Sequence, residues 1–214
     1  MLSIALPTGR LLKPTRALLS RGGWKLPLRL EENRRLILEV GKPPTRFIFV
    51  KPSDVPVYVE YGIADAGVAG ADVLWESRAD VLEPLDLEIG CCRLVVAGRN
   101  GHTLATDGAG ALRVATKYPR LTREHFHARG QHVEVIPLGG SLELAPQLGL
   151  ADVIVDLVET GRTLAQNGLV VLEEIGTVSA RWILNRSRMA MSGDEIESMT
   201  DRLYRATLAM RRKK

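Results

Sequence analysis

The chain reads as an α/β protein of two lobes with mixed, mainly parallel sheets, and three observations carry that expectation. Segments of strand character alternate with segments of helical period along most of its 214 residues, the order that winds helices about parallel strands. The segments at 64–68 and 153–155 are rich in small and branched apolar residues, as strands inside a sheet covered on both faces require. Finally, Gly62, Ile63, Ala64, Asp65 and Val68 recur as Gly149, Leu150, Ala151, Asp152 and Val155. This echo favours two similar lobes, although buried strands reuse so few residue types that chance could also produce it. On the two-lobe reading, lobe one is 1–90 plus 175–214, lobe two is 91–174, and the apolar stretches 85–98 and 169–184 are the crossings. A ligand would then sit in the cleft between lobes.

The elements follow in order. Residues 2–6 form a strand and 11–20 a helix; 35–40 and 45–50 form paired strands around the turn at 41–44. A helix begins after Ser53 or Asp54, either of which can cap it, and Pro56 fits its first turn because it has no N–H to lose. Strands are expected at 64–68, 112–115, 133–136 and 153–155, with helices after Thr122, Ser141 and Thr160. The last helix opens on a capping box of Ser192, Gly193, Asp194 and Glu195 and buries a stripe of Ile196, Met199, Leu203 and Met210.

Composition excludes several classes. With 45% hydrophobic and 25% charged residues, the chain has the balance of a globular protein, and no apolar run approaches the ~20 residues that span a bilayer. Residues 2–6 are too short for a secretory core and are followed at once by Pro7, Gly9 and Arg10, so a cytoplasmic location is expected. A net charge of +4 could serve nucleic acid or small polyanions, but aromatics are only 5% and the basic residues are scattered outside Arg211, Arg212, Lys213 and Lys214. That distribution favours small polyanions over nucleic acid and a membrane, and the basic end complements a helix C-terminus. Cys91 and Cys92 are adjacent, without redox or zinc spacing, and read as reduced structural thiols. His125 and His127 lie two apart and would diverge on a helix. No protein metal site is expected; a metal would arrive with the substrate.

The candidate site is the stretch 153–164, where a buried strand meets Asp156 and then a small polar turn of Thr160, Gly161, Arg162 and Thr163 before a helical pattern from Leu164. Hydroxyls, open backbone N–H groups and a helix start describe a phosphate cradle, with Asp156 placed to accept from sugar hydroxyls. Residue types alone allow an ordinary capped strand, turn and helix as well.

Extended backwards, the segment resembles the signature of the ATP phosphoribosyltransferase family. It matches at Glu143, Gly149, Ala151, Ile154, Asp156, Thr160, Gly161 and Thr163. The likeness extends to Ala5, Leu6, Pro7, Thr8, Gly9 and Arg10, to 54–62 and 67–74, and to Ala115, Thr116, Lys117, Tyr118 and Pro119. The resemblance implies a fold similar to type II periplasmic binding proteins. It also implies transfer of phosphoribosyl from phosphoribosyl pyrophosphate to N1 of ATP, the first step of histidine biosynthesis. By the same resemblance the chain is similar to the short catalytic form, which works in a hetero-oligomer with a regulatory subunit resembling histidyl-tRNA synthetase. Mg2+ is implied on the pyrophosphate, and homo-oligomers are implied too.

Residue roles follow from the match. Thr160, Gly161, Arg162, Thr163 and Leu164 would hold the 5-phosphate and Asp156 the ribose. Glu143 would contact ribose or accept the proton shed by the adenine amino group, unless it only starts a helix. Arg10 could fork onto pyrophosphate or ATP phosphates. Asp72 is expected to meet the nucleotide, and Lys51 and Lys117 are further phosphate candidates. Thr8, Gly139 and Glu159 depart from the family pattern, and Glu159 puts an anion beside the phosphate unless it turns away or pairs with Arg162. Two competing readings are a two-lobed binding module without chemistry and a type I phosphoribosyltransferase. The latter usually carries adjacent acids where this chain has Asp156 and Leu157.

Overall fold

The computed structural model describes residues 1–27, 35–42, 44–104, 111–191 and 193–211. Pro43 of the expected turn, Ser192 of the expected cap, and Arg212, Lys213 and Lys214 lie outside them. The chain forms two compact units, Met1–Gly90 with Ser179–Lys214, and Cys91–Val178.

The first unit opens with β1 (Ser3–Pro7), a 3-10 turn over Gly9–Leu11 and α1 (Leu12–Arg21). β2 (Ile37–Val40), β3 (Thr45–Val50), α2 (Val55–Glu60), β4 (Ala66–Gly70), α3 (Ala71–Ser77) and β5 (Leu82–Asp86) follow. The second unit holds β6 (Cys92–Arg99), β7 (Leu112–Thr116), α4 (Pro119–His127), β8 (Val133–Pro137) and α5 (Leu144–Gln147). It closes with β9 (Val153–Val158), α6 (Arg162–Gln166) and β10 (Leu169–Val178). The chain returns to the first unit as β11 (Ala180–Leu184), α7 (Arg186–Met191) and α8 (Gly193–Arg211). The return falls at Ser179 rather than 175 because β10 stays paired with β6 as far as Val178↔Cys92.

Local differences from the sequence expectation have local causes. α4 starts at Pro119, not after Thr122, since proline suits a first turn and Thr122 is a buried residue inside the helix. Neither expected cap serves α2: the Asp54 side chain makes no capping bond, and Ser53 Oγ donates to Asp54 Oδ1 at 2.8 Å. α3 was hidden because it leaves β4 with no turn residue between them. β5 contains Pro84, which its place at the sheet edge tolerates.

The sheets run β2-β3-β1-β4-β11-β5 and β10-β6-β9-β7-β8. Parallel pairing joins β3, β1 and β4 in one and β8, β7 and β9 in the other. The remaining pairs are antiparallel. Five strands therefore correspond in order and direction: β3-β1-β4-β11-β5 with β8-β7-β9-β6-β10.

The echoed residues do the same work in both units. Asp65 N–H donates to Ser3 O at 2.9 Å while its carboxylate accepts from Ser3 N–H at 2.7 Å. Asp152 N–H donates to Arg113 O, and its carboxylate accepts from Arg113 N–H, each at 2.9 Å. Each aspartate thus clamps the start of the neighbouring parallel strand.

Both sheets are covered on both faces, and strand alternation sorts the faces. In the first unit Ile4, Leu6, Phe47 and Trp182 pack with Leu18 and Leu19 of α1 and Ile196, Met199 and Leu203 of α8. Ala5, Ile48, Ala69 and Ile183 face Val55 and Val59 of α2 and Leu74 of α3. Trp182 is fully buried, and its Nε1 donates to Thr200 Oγ1 at 3.0 Å, satisfying the polar atom where β11 meets α8. In the second unit Val96, Val114, Val153 and Val155 pack with Phe126 of α4, and Val95, Ala97, Ala115 and Ile154 with Leu142, Ala145 and Leu164. Each buried valine, leucine, isoleucine, phenylalanine or methionine among them contributes roughly 1.5–3 kcal/mol of burial.

Candidate active site

Parity along β9 determines the chemistry. Val153 and Val155 point to the α4 face; Ile154 and Val158 point to the face covered by α5 and α6. Period two puts Asp156 on that second face, where an apolar residue would be expected and its side chain is only 17% exposed. Burial pushes its carboxyl above the ordinary aspartate value. Lys117 and the Leu157 N–H oppose that shift, while the charge of Glu143 adds to it. Lys117 Nζ lies 3.1 Å from Asp156 Oδ1, and Leu157 N–H donates to the same oxygen at 2.7 Å.

Beyond Val158 the backbone turns. Gly161 takes φ +76°, a left-handed conformation that glycine adopts without steric cost, and heads α6. α6 has only five residues, so the expected macrodipole is small. What remains is local: the N–H groups of Arg162, Thr163 and Leu164 have no acceptor within the helix ladder. Glu143, Asp156, Thr160, Gly161, Arg162, Thr163 and Leu164 line one concavity of about 240 Å³, together with Leu157, Val158 and Glu159. Seven of the residues expected at the site thus meet, all within the second unit. Leu164 offers its backbone, since its side chain is buried in the core. Glu143 stands at the N-cap of α5 without a capping bond, so the helix-start role alone does not account for it.

Arg10, Lys51 and Asp72 belong to the first unit. Arg10 is exposed on the 3-10 turn and its Nη1 donates to Gly90 O at 3.2 Å. Lys51 is exposed just after β3. Asp72 is 6% exposed in the first turn of α3, its carboxylate folded back over Gly70. The residue that sequence reasoning underrated is Lys117. Its partner was hidden because β7 and β9 become neighbours only in the sheet.

A half-buried carboxylate, two threonine hydroxyls and first-turn amides around a small concavity have the chemistry of a sugar-phosphate site on a two-unit α/β scaffold. That scaffold is shared: the periplasmic aliphatic sulphonate binding protein SsuA of Escherichia coli matches 99% of this chain and 74% of its own at TM-score 0.60 and 16% identity, a likeness of fold alone. The fold is accordingly similar to type II periplasmic binding proteins. The chain belongs to the ATP phosphoribosyltransferase family, whose description, HisG: ATP phosphoribosyltransferase, matches residues 51–205. The ATP phosphoribosyltransferase of Geobacillus kaustophilus is 49% identical over 203 residues, 95% of this chain and 97% of that one. A solved ATP phosphoribosyl transferase (HisG:HisZ) complex from Thermotoga maritima covers 97% of this chain and 98% of its own at 35% identity and TM-score 0.83. The activity is transfer of phosphoribosyl from phosphoribosyl pyrophosphate to N1 of ATP, releasing pyrophosphate, in histidine biosynthesis. The readings as a non-catalytic module and as a type I phosphoribosyltransferase give way to it.

Proposed function

We propose that the concavity at the end of β9 is where phosphoribosyl pyrophosphate binds, with Asp156 accepting from the ribose hydroxyls. Thr160, Gly161, Arg162, Thr163 and the Leu164 N–H surround the 5-phosphate. The supporting observation is a half-buried carboxylate on a core face, opening onto hydroxyls and first-turn amides. The adenine nucleophile is a neutral ring nitrogen, so the protein need not generate one. Its work is to orient two polyanions and to stabilise charge on the departing pyrophosphate. Direct displacement inverts C1, and Glu143, on the same concavity as Asp156, takes the proton that the adenine amino group sheds or steadies the ribose. Arg10 is assigned to pyrophosphate or ATP phosphates, and Asp72 and Lys51 to the nucleotide side, so that the first unit serves ATP and the second phosphoribosyl pyrophosphate.

Mg2+ is assigned to the pyrophosphate oxygens as part of the substrate, because it keeps several waters and needs only one or two carboxylates. A regulatory subunit resembling histidyl-tRNA synthetase is proposed as partner in a hetero-oligomer, supported by the likeness to the Thermotoga maritima complex. A cytoplasmic site of action accords with a biosynthetic role; among the described residues no helix is long and apolar enough to cross a membrane.

Thermal unfolding with Mg2+ and phosphoribosyl pyrophosphate, against ribose 5-phosphate, ATP and buffer, tests the assignment without the partner. A ligand at 100 times its Kd stabilises by about 2.7 kcal/mol, a rise of roughly 5–10 °C for a chain this size. Thr163→Ala should shrink that rise. A full rise in this variant would remove the cradle from the phosphate.

A further inference from the structure

We propose that Lys117 is a positioning residue for the reaction, acting through Asp156 rather than on a phosphate: it holds the carboxylate ionised and turned so that Oδ2 faces the ribose hydroxyls. This rests on the assignment of the cradle to phosphoribosyl pyrophosphate.

The geometry commits both partners. Lys117 Nζ and the Leu157 N–H converge on Oδ1 of Asp156, at 3.1 and 2.7 Å. Among the described residues Oδ2 takes no hydrogen bond, which leaves it as the acceptor. The segment carrying Lys117 is fixed from below. Thr116, fully buried, donates through Oγ1 to Val155 O of β9 at 2.8 Å and accepts from Tyr118 N–H at 2.9 Å. The ammonium also lies 5.8 Å from the centre of the buried Tyr118 ring, a contact that favours a cation there. Lys117 is thereby tied to β9 itself.

The charges facing Asp156 explain why a cation is needed. Glu143 comes from the N-cap of α5, Glu159 from the turn before α6, Arg162 from the first position of α6, and Lys117 from just beyond β7. Burial and the Glu143 charge both favour the neutral acid. A neutral carboxyl offers a proton where the ribose hydroxyls also offer theirs, and so loses its charge-assisted hydrogen bonds. Lys117 is the cation that the structure places against this carboxylate.

The test is the Kd of Mg2+ and phosphoribosyl pyrophosphate by titration calorimetry from about pH 5.5 to about pH 8. It compares the wild-type chain with Lys117→Met, Lys117→Arg, Asp156→Asn and the Lys117→Met/Asp156→Asn double variant. The ligand's own ionisation is common to all. Lys117 is 41% exposed, so the fold should survive its replacement, and unchanged unfolding midpoints would show that. Lys117→Met should bind nearly normally at the alkaline end and on the order of tenfold more weakly at the acid end, because losing an adjacent cation raises the pH at which the carboxylate is neutralised. Lys117→Arg should restore the wild-type profile, and Lys117→Met should cost little further in the Asp156→Asn background. A loss equal at every pH that adds in full to Asp156→Asn would overturn the proposal and make Lys117 a phosphate ligand. No effect at any pH would reduce the pair to a surface ion pair. If the wild-type chain bound no phosphoribosyl pyrophosphate at any pH, the cradle assignment itself would fall, and this proposal with it.

Discussion

In the first unit the inner strand β4 ends in Ala69 and Gly70 and passes at once into α3. In the second, β9 carries Asp156 in the place of Ala69 and leaves through Glu159, Thr160 and Gly161 before α6 begins. The surrounding frame is common to both: the same five-strand order and the same aspartate clamp at Asp65 and Asp152. Ala69 is fully buried in an apolar cluster; Asp156 borders an open concavity. One charged residue in a core position and a short glycine turn thus separate a strand that only packs from one that opens onto a concavity.

The largest effect should come from making the second unit like the first. Asp156→Ala is expected to weaken phosphoribosyl pyrophosphate binding by about a hundredfold, the loss of one or two charge-assisted hydrogen bonds. It should leave the unfolding midpoint at neutral pH unchanged or higher. The sign follows from the raised carboxyl of Asp156: its favourable contribution is complete below the unfolded value and is lost as pH rises through the folded one, so at neutral pH the buried charge works against folding. Calorimetry of binding and of unfolding on one sample checks both halves; a midpoint several degrees lower would show that Asp156 is structural.

The next contrast concerns Gly67, whose counterpart in the second unit is Ile154. A Cβ at Gly67 would lie 2.8 Å from Val59 Cγ2, 3.0 Å from Val55 Cγ1 and 3.2 Å from Ala5 O, so α2 rests directly on the strand backbone. Gly67→Ala should cost about 1–3 kcal/mol through overpacking. At Gly161 the nearest atom to an added Cβ is Val158 Cγ1 at 3.9 Å, so Gly161→Ala should cost only the left-handed backbone strain, ~1–2 kcal/mol. Denaturant unfolding of the two variants ranks them, and the reverse order would contradict the packing described for α2.

The smallest effect belongs to the clamp. The hydrogen bond from the Arg113 side chain, foremost, holds the Asp152 carboxyl below the ordinary range against its partial burial. Its contribution is present above the unfolded value and is lost as pH falls through the folded one. Unfolding midpoints taken from about pH 5 to about pH 3 should fall in the wild-type chain and fall less in Asp152→Asn, by a small margin because solvent screens this exposed pair. Parallel slopes would deny the clamp its role.

Asp156, Thr160, Gly161 and Thr163 were legible in the sequence because their spacing is local: one strand, one turn and one helix start bring them together. Glu143 reached the list through the family signature, and the concavity then joined it to the others. Lys117 could be named but not placed, and α3 was missed because the strand expected at 64–68 runs on to Gly70, which is also the N-cap of the next helix.

Period, turn chemistry and composition by themselves determined the α/β class and picked out Asp156, Thr160, Gly161 and Thr163 as a candidate site, because each is written within one or two elements. Tertiary structure alone decided that β6 and β11 run antiparallel to β9 and β4, that Asp156 lies on a core face and shares a concavity with Glu143, and that Lys117 is its partner. Those facts depend on which strands become neighbours and which face each helix covers, and no local pattern encodes that until the apolar surfaces are buried together.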